Sequence, residues 1–147
     1  HANLWLGAVA VADYLRLAPD DRTACVLPFS FDYGQNQLFS TWHAGGCVYP
    51  LDYLTPRDVL KLVDRRDITT LAGVPPLWVQ LAELEWPADI AGKLRRLTNS
   101  GGALTRPLVA RACGQADWDA LLASYAQARQ CVRDTWAAIA APYQEDA

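Results

Sequence analysis

No stretch of these 147 residues is long and apolar enough to span a bilayer, because the hydrophobic runs are short and interrupted. An excess of positive charge is also missing. Thirteen Lys and Arg against sixteen Asp and Glu leave a formal net charge of −3, and the only tight basic groups are Arg65-Arg66 and Arg95-Arg96. That balance argues against nucleic acid as a partner, since neutralising phosphates takes clustered cations. The four cysteines, Cys25, Cys47, Cys113 and Cys131, stand far apart with no CxxC, and no histidine lies at metal-ligand spacing. No metal site is expected. The cysteines read as buried, reduced thiols of a cytoplasmic protein. Two histidines, one of them terminal, cannot build a convincing Ser/His/Asp or Cys/His set. The absence of a Gly-x-Ser-x-Gly elbow disfavours a hydrolase. No catalytic residue is therefore assigned.

What is present suits one ordinary globular unit: 52% apolar and 20% charged residues, with enough length to bury roughly two-thirds of the unfolded surface. Residues 4–12 resemble the apolar core of a signal peptide, but no basic region precedes them and no cleavage-type run follows. The chain opens on His1 directly into a helical pattern, which reads as an internal piece of a longer protein.

Asn3 is the expected cap of a first helix carrying Leu4, Leu6, Val9, Val11, Tyr14 and Leu15, stopped at Pro19-Asp20-Asp21. Short apolar strands are expected near 23–27, 46–49, 68–73 and 94–99. Helices are expected over 33–44, from Thr55-Pro56 with the hydroxyl as cap, from Pro75-Pro76, and from about Thr105. Three strands are closed by proline (Pro28, Pro50, Pro75) and the fourth by Gly101-Gly102. Alternating helix and strand, joined by connections too long for hairpins, specifies an α/β fold with a mainly parallel sheet of about four strands and flanking helices. Ligands of such sheets bind beyond the carboxyl ends of the strands, which singles out the loops 28–34, 73–76 and 99–104. From Gln115 the pattern changes. Trp118, Leu122, Tyr125, Val132 and Trp136 recur at helical spacing and predict a C-terminal amphipathic helix over about 117–141.

Asn99-Ser-Gly-Gly-Ala-Leu104 is the strongest local signal. Two glycines between a strand and a helix let backbone N–H groups approach a nucleotide or an anion, although the same pattern also serves as a tight turn. Phe29, Phe31 and Tyr33 could line an acyl pocket or simply cover the sheet end. Asp32 suits a helix cap or solvated carboxylate better than a metal ligand. His43, just before Gly45-Gly46, suits a dipole partner at a helix C-terminus better than a catalyst.

Taken in order, several segments resemble the adenylate-forming superfamily of acyl-CoA synthetases, peptide-synthetase adenylation domains and luciferases. These are His1-Ala-Asn-Leu4, Val26-Leu-Pro-Phe29 leading to Tyr33-Gly34, Gly45-Gly46, Leu71-Ala-Gly-Val-Pro-Pro-Leu-Trp78 and Leu94-Arg-Arg-Leu-Thr-Asn-Ser-Gly-Gly-Ala103. The resemblance covers residues 1–112, as part of the large AMP-binding domain. Residues 113–147 form a helical tail that does not match. Ser30-Phe-Asp-Tyr-Gly-Gln-Asn-Gln-Leu38 is most similar to bacterial acyl-CoA ligases linked with exopolysaccharide and exosortase systems.

The resemblance implies joining of a carboxylate to ATP, giving acyl-AMP, then transfer to CoA, with Mg as the ion. It places Ser100, Gly101, Gly102 and Ala103 against the adenine and acyl-adenylate, and Phe31, Tyr33, Val74 and Pro75 around the acyl group. The family's phosphate loop with its lysine, its Tyr-Gly-x-Thr-Glu motif, its ribose-binding Asp and its catalytic Lys have no counterpart in these residues. The expectation is a piece that is inactive by itself. The alternative is a non-catalytic module on the same fold that binds an acyl group, a nucleotide or a protein. On either reading the C-terminal helix could cover the sheet edge, or project and support self-association with a second copy.

Overall fold

A computed structural model describes residues 1–105. The expected helix from Thr105, the tail helix over 117–141 and any self-association through it lie outside the described residues.

The elements run α1 (Ala2–Tyr14), β1 (Arg22–Cys25), α2 (Asp32–His43), β2 (Cys47–Pro50), α3 (Pro56–Arg66), β3 (Thr70–Gly73), α4 (Pro75–Ala82), α5 (Ala88–Ala91) and β4 (Arg96–Asn99). The four strands form one parallel sheet in the order β2-β1-β3-β4. None of the described helices is long and apolar enough to cross a membrane.

The expected strands are found, three of them trimmed to four residues and the second, Cys47–Pro50, shifted by one. β1 stops at Cys25, whose carbonyl accepts from Leu51 N at 3.0 Å; Val26 and Leu27 run on past the partner strand towards Pro28. β3 starts two residues late because Thr69 serves as a junction, its carbonyl accepting from Arg95 N (2.8 Å) and Arg96 N (3.0 Å).

Local chemistry explains the helix starts. The Asp58 carboxylate accepts from the backbone N–H of Thr55 at 2.9 Å and from its hydroxyl at 3.0 Å, so Thr55 opens α3 as a capping residue followed by proline. Asn3 does not cap α1. That helix begins at Ala2, with His1 in the cap position and no side chain bonded there, which puts Asn3 inside the first turn. The short α5 had no signal in the sequence, since four residues are too few for a readable period.

Parallel pairing and the two-residue side-chain period split the sheet into unlike faces. Ala24, Leu71 and Leu97 are register neighbours on one face. They pack with Val59 and Val63 of α3 and Leu77, Trp78 and Leu81 of α4 to form the dry core. The other face, beneath α1 and α2, presents Thr23, Thr70 and Thr98. Cysteine usage divides the same way: Cys25 is buried, whereas Cys47, expected to be buried, is exposed because it begins the edge strand β2.

The amino ends of β1, β3 and β4 meet on a buried anion. Asp21 has no exposed surface. Its carboxylate accepts from Ala18 N (2.8 Å), the Thr69 hydroxyl (2.7 Å) and Arg96 (2.6 Å), and pairs with Arg95 at 2.8 Å. Burial alone would raise the pKa of this acid. The hydrogen bonds from Thr69 and Ala18, together with Arg96, outweigh it and hold the carboxyl below its ordinary value. Arg96 also donates to the carbonyls of Leu15 and Arg16 (2.5 Å each), placing a cation at the C-terminal end of α1.

Candidate functional site

Strand order dictates where a ligand can enter. The chain leaves β1 for β2 on one side, then returns past β1 to β3 and β4 on the other, so the direction of winding reverses between β1 and β3. The crevice outside their carboxyl ends is the binding position in open sheets of this kind. Phe31 and Tyr33 follow β1; Val74 and Pro75 follow β3.

The third loop closes onto this crevice. Ser100 N donates to the Gly73 carbonyl at 3.2 Å, and Asn99 Nδ2 donates to the Gly102 carbonyl at 2.7 Å. Gly101 adopts φ +77°, a conformation favoured by glycine, and a β-carbon there would stand 3.5 Å from Val74. On Gly102 a β-carbon would stand 3.1 Å from the Pro75 ring. The Tyr33 hydroxyl bonds that of Thr98, tying the loop after β1 to the end of β4. Phe31 meets Tyr33 edge to face, with ring centroids 6.5 Å apart.

The eight residues expected around the adenylate and the acyl group thus fall on three strand-to-helix connections and the first turns that follow them, at one end of the sheet. Gly101, Gly102, Ala103 and Phe31 are exposed. Asp32 is the first residue of α2, exposed, accepting from Tyr33 N at 2.7 Å as a first-turn acid does. His43 is the last residue of α2 and lies edge-on to Trp5, with centroids 4.9 Å apart. Burial pushes the Tyr33 phenol up to about 12, so it stays protonated and can donate. Burial likewise pushes the Cys25 thiol up to about 12, which removes it as a nucleophile.

The sequence reading missed a cavity of about 230 Å³ between α1, α2 and the hydroxyl-bearing face, reaching Tyr33, Thr98 and Ser100. Gln37, Ser40 and Thr41 of α2 line it, recurring three and four residues apart, and all three are buried. Thr41 donates to Thr23 at 2.9 Å, and Thr98 is held by Tyr33. Among the described residues, both amide atoms of Gln37, the Thr70 hydroxyl and Asn36 Oδ1 find no partner. A polar stripe at helical spacing was the available signal. It reads as a solvent face unless the covered side is known.

The AMP-binding enzyme family matches residues 1–137. This chain belongs to that family. A long-chain-fatty-acid–CoA ligase from Thermus thermophilus is 40% identical over 65 residues, covering 44% of this chain and 12% of that protein. The structure of MatB from Rhodopseudomonas palustris superposes with a TM-score of 0.68 at 25% identity, covering 75% of this chain and 22% of MatB. The o-succinylbenzoate CoA synthetase of Bacillus subtilis, solved with its acyl-adenylate intermediate, superposes with a TM-score of 0.65 at 25% identity, over 74% of this chain and 28% of that one. The chain thus spans between about an eighth and about a quarter of the length of these relatives.

Proposed function

We propose that this chain supplies the acyl-pocket wall and the adenine-facing loop of an AMP-forming acyl-CoA ligase. Such an enzyme joins a carboxylate to ATP with release of pyrophosphate, then passes the acyl group to the thiol of CoA, with Mg as its ion. The observation that carries this reading is the closure of the 99–104 loop onto Gly73–Pro75, with Tyr33 bonded to Thr98 beside it, at the switch point of the sheet. Ser100, Gly101, Gly102 and Ala103 lie along the adenylate, where exposed glycines without β-carbons admit a flat purine. Phe31, Tyr33, Val74 and Pro75 border the acyl group, as an apolar wall with a few polar contacts should. ATP, when bound, would supply the adenylyl group that activates the carboxylate, with pyrophosphate as the leaving group.

The loops 28–34, 73–76 and 99–105 contain no Lys or Arg. Phosphoryl transfer depends on positioned charge, so the triphosphate needs cations from outside these loops. The 147-residue polypeptide by itself is expected to give no pyrophosphate exchange with acetate, medium-chain or aromatic acids. The segment from Ser30 to Leu38 supports the narrower relation to acyl-CoA ligases of exopolysaccharide and exosortase systems, and ATP and CoA as co-substrates suit a cytoplasmic enzyme.

Binding of an acyl-sulfamoyl adenosine, a hydrolysis-resistant acyl-adenylate, tests the reading. Saturable binding by the chain, weakened roughly tenfold or more by Gly102→Trp, is expected. Binding indifferent to Gly102→Trp would place the nucleotide elsewhere. Pyrophosphate exchange above background by the 147 residues would overturn their expected inactivity.

A further inference from the structure

We infer that the acyl group taken by this site is short and bears a neutral hydrogen-bonding substituent, a hydroxyl or a carboxamide, and is neither a plain hydrocarbon chain nor a dicarboxylate. The inference rests on the site reading above and adds the class of acid.

The floor of the cavity is a row of hydroxyls, and two of the three are already spoken for. Thr23 pairs with Thr41 and Thr98 with Tyr33. Thr70 lies between them in the sheet, 3% exposed, without a partner. Above the floor, Gln37 is 7% exposed with both its Nε2 and its Oε1 unpartnered. Asn36 adds an unpartnered Oδ1. Among the described residues these are three of the five with a buried, unpartnered side-chain atom, and all three line the one cavity.

Such groups are costly to bury unsatisfied, so their concentration at a single cavity points to a partner that arrives from outside. Gln37 Nε2 donates to an acceptor on that partner. Gln37 Oε1 and the Thr70 hydroxyl accept from its donor. A hydrocarbon chain would leave all of them unmet, and a site built to hydrogen-bond its substrate rejects the analogue that lacks the group.

Size and charge narrow the class further. A cavity of about 230 Å³ falls below the roughly 300–1,000 Å³ of drug-sized sites, which favours a short acid. Among the described residues of the lining, Asp32 is the one carboxylate and no Lys or Arg accompanies it, so a second carboxylate on the acyl group would meet a like charge.

The test uses the 147-residue chain and four sulfamoyl adenosines, bearing γ-hydroxybutanoyl, pentanoyl, dodecanoyl and succinyl groups. The γ-hydroxybutanoyl and pentanoyl probes differ only by hydroxyl for methyl. The hydroxylated probe is expected to bind roughly tenfold tighter than pentanoyl, with dodecanoyl and succinyl weaker than both. Gln37→Leu should abolish the preference for hydroxyl over methyl, and Thr70→Val, a change of the same shape, should reduce it. If Gln37→Leu does not melt cooperatively, Thr70→Val decides. Tightest binding of pentanoyl, dodecanoyl or succinyl overturns the inference while leaving the site reading intact. So does a hydroxyl preference that survives Thr70→Val unchanged. Failure of all four probes to bind overturns the site reading itself, and this inference with it.

Discussion

Two regions of the same sheet, the Asp21 cluster and the face beneath α1 and α2, are built on opposite principles. At the amino ends, Asp21 is fully buried and every contact it makes is complementary: a backbone N–H, a threonine hydroxyl and two guanidinium groups. Along the face beneath α1 and α2, from Thr70 at the start of β3 up to the carboxyl ends, the chain leaves groups unmet. Gln37, Thr70 and Asn36 line a cavity with atoms that have no partner among the described residues, and the loops at the carboxyl ends carry glycines and aromatics but no Lys or Arg. A protein has no folding reason to leave a buried carboxamide idle when an apolar residue of similar volume would serve. The satisfied cluster is where the fold is held, and the unsatisfied face is where it is used.

Breaking the amino end should have the largest effect. Asp21→Ala leaves Arg95 and Arg96 facing a hole and should cost about 3–5 kcal/mol, read as a lower urea midpoint. The pH dependence of stability follows from the same group. Its folded pKa lies below the ordinary 3.8, so the stability it contributes is present above that value. That stability is lost as pH falls through the folded pKa. Acid titration of the melting temperature should therefore fall off below about pH 4, and Asp21→Asn should flatten that limb.

Gly73 sits between the two regimes. A β-carbon there would come within 2.9 Å of the Trp78 ring, so Gly73→Ala should cost about 1–3 kcal/mol in the same unfolding assay through overpacking. The smallest effect is opposite in sign. Gln37→Leu replaces an unmet buried amide with an apolar side chain and should raise stability by about 1 kcal/mol while harming recognition of a hydroxylated acyl group. A loss of stability in Gln37→Leu comparable to that in Asp21→Ala would erase the contrast.

The sequence exposes these two ends unequally. The carboxyl end was readable because its signals are local: Pro28, Pro50, Pro75 and Gly101-Gly102 each close a strand within a few residues, and their common direction follows from parallel pairing. The amino end was not. Asp21 sits in Pro19-Asp20-Asp21, which reads as a polar helix stop, and its arginines lie 74 and 75 residues further along the chain. Only the registers of β1 against β3 and of β3 against β4 bring them together. The cavity escaped for a third reason. Strands of four residues are too short for alternation to declare which face is wet, so Thr23, Thr70 and Thr98 looked like ordinary strand threonines and Gln37 like a surface glutamine.

Backbone and side-chain amide chemical shifts, followed as the γ-hydroxybutanoyl sulfamoyl adenosine is titrated into the labelled chain, test the division of labour most directly. The expected result is a set of shifts confined to residues 31–41, 70–75 and 98–104, with the Gln37 carboxamide prominent and Asp21, Thr69, Arg95 and Arg96 unmoved. Shifts centred on Asp21 and its arginines, with a silent Gln37, would contradict it.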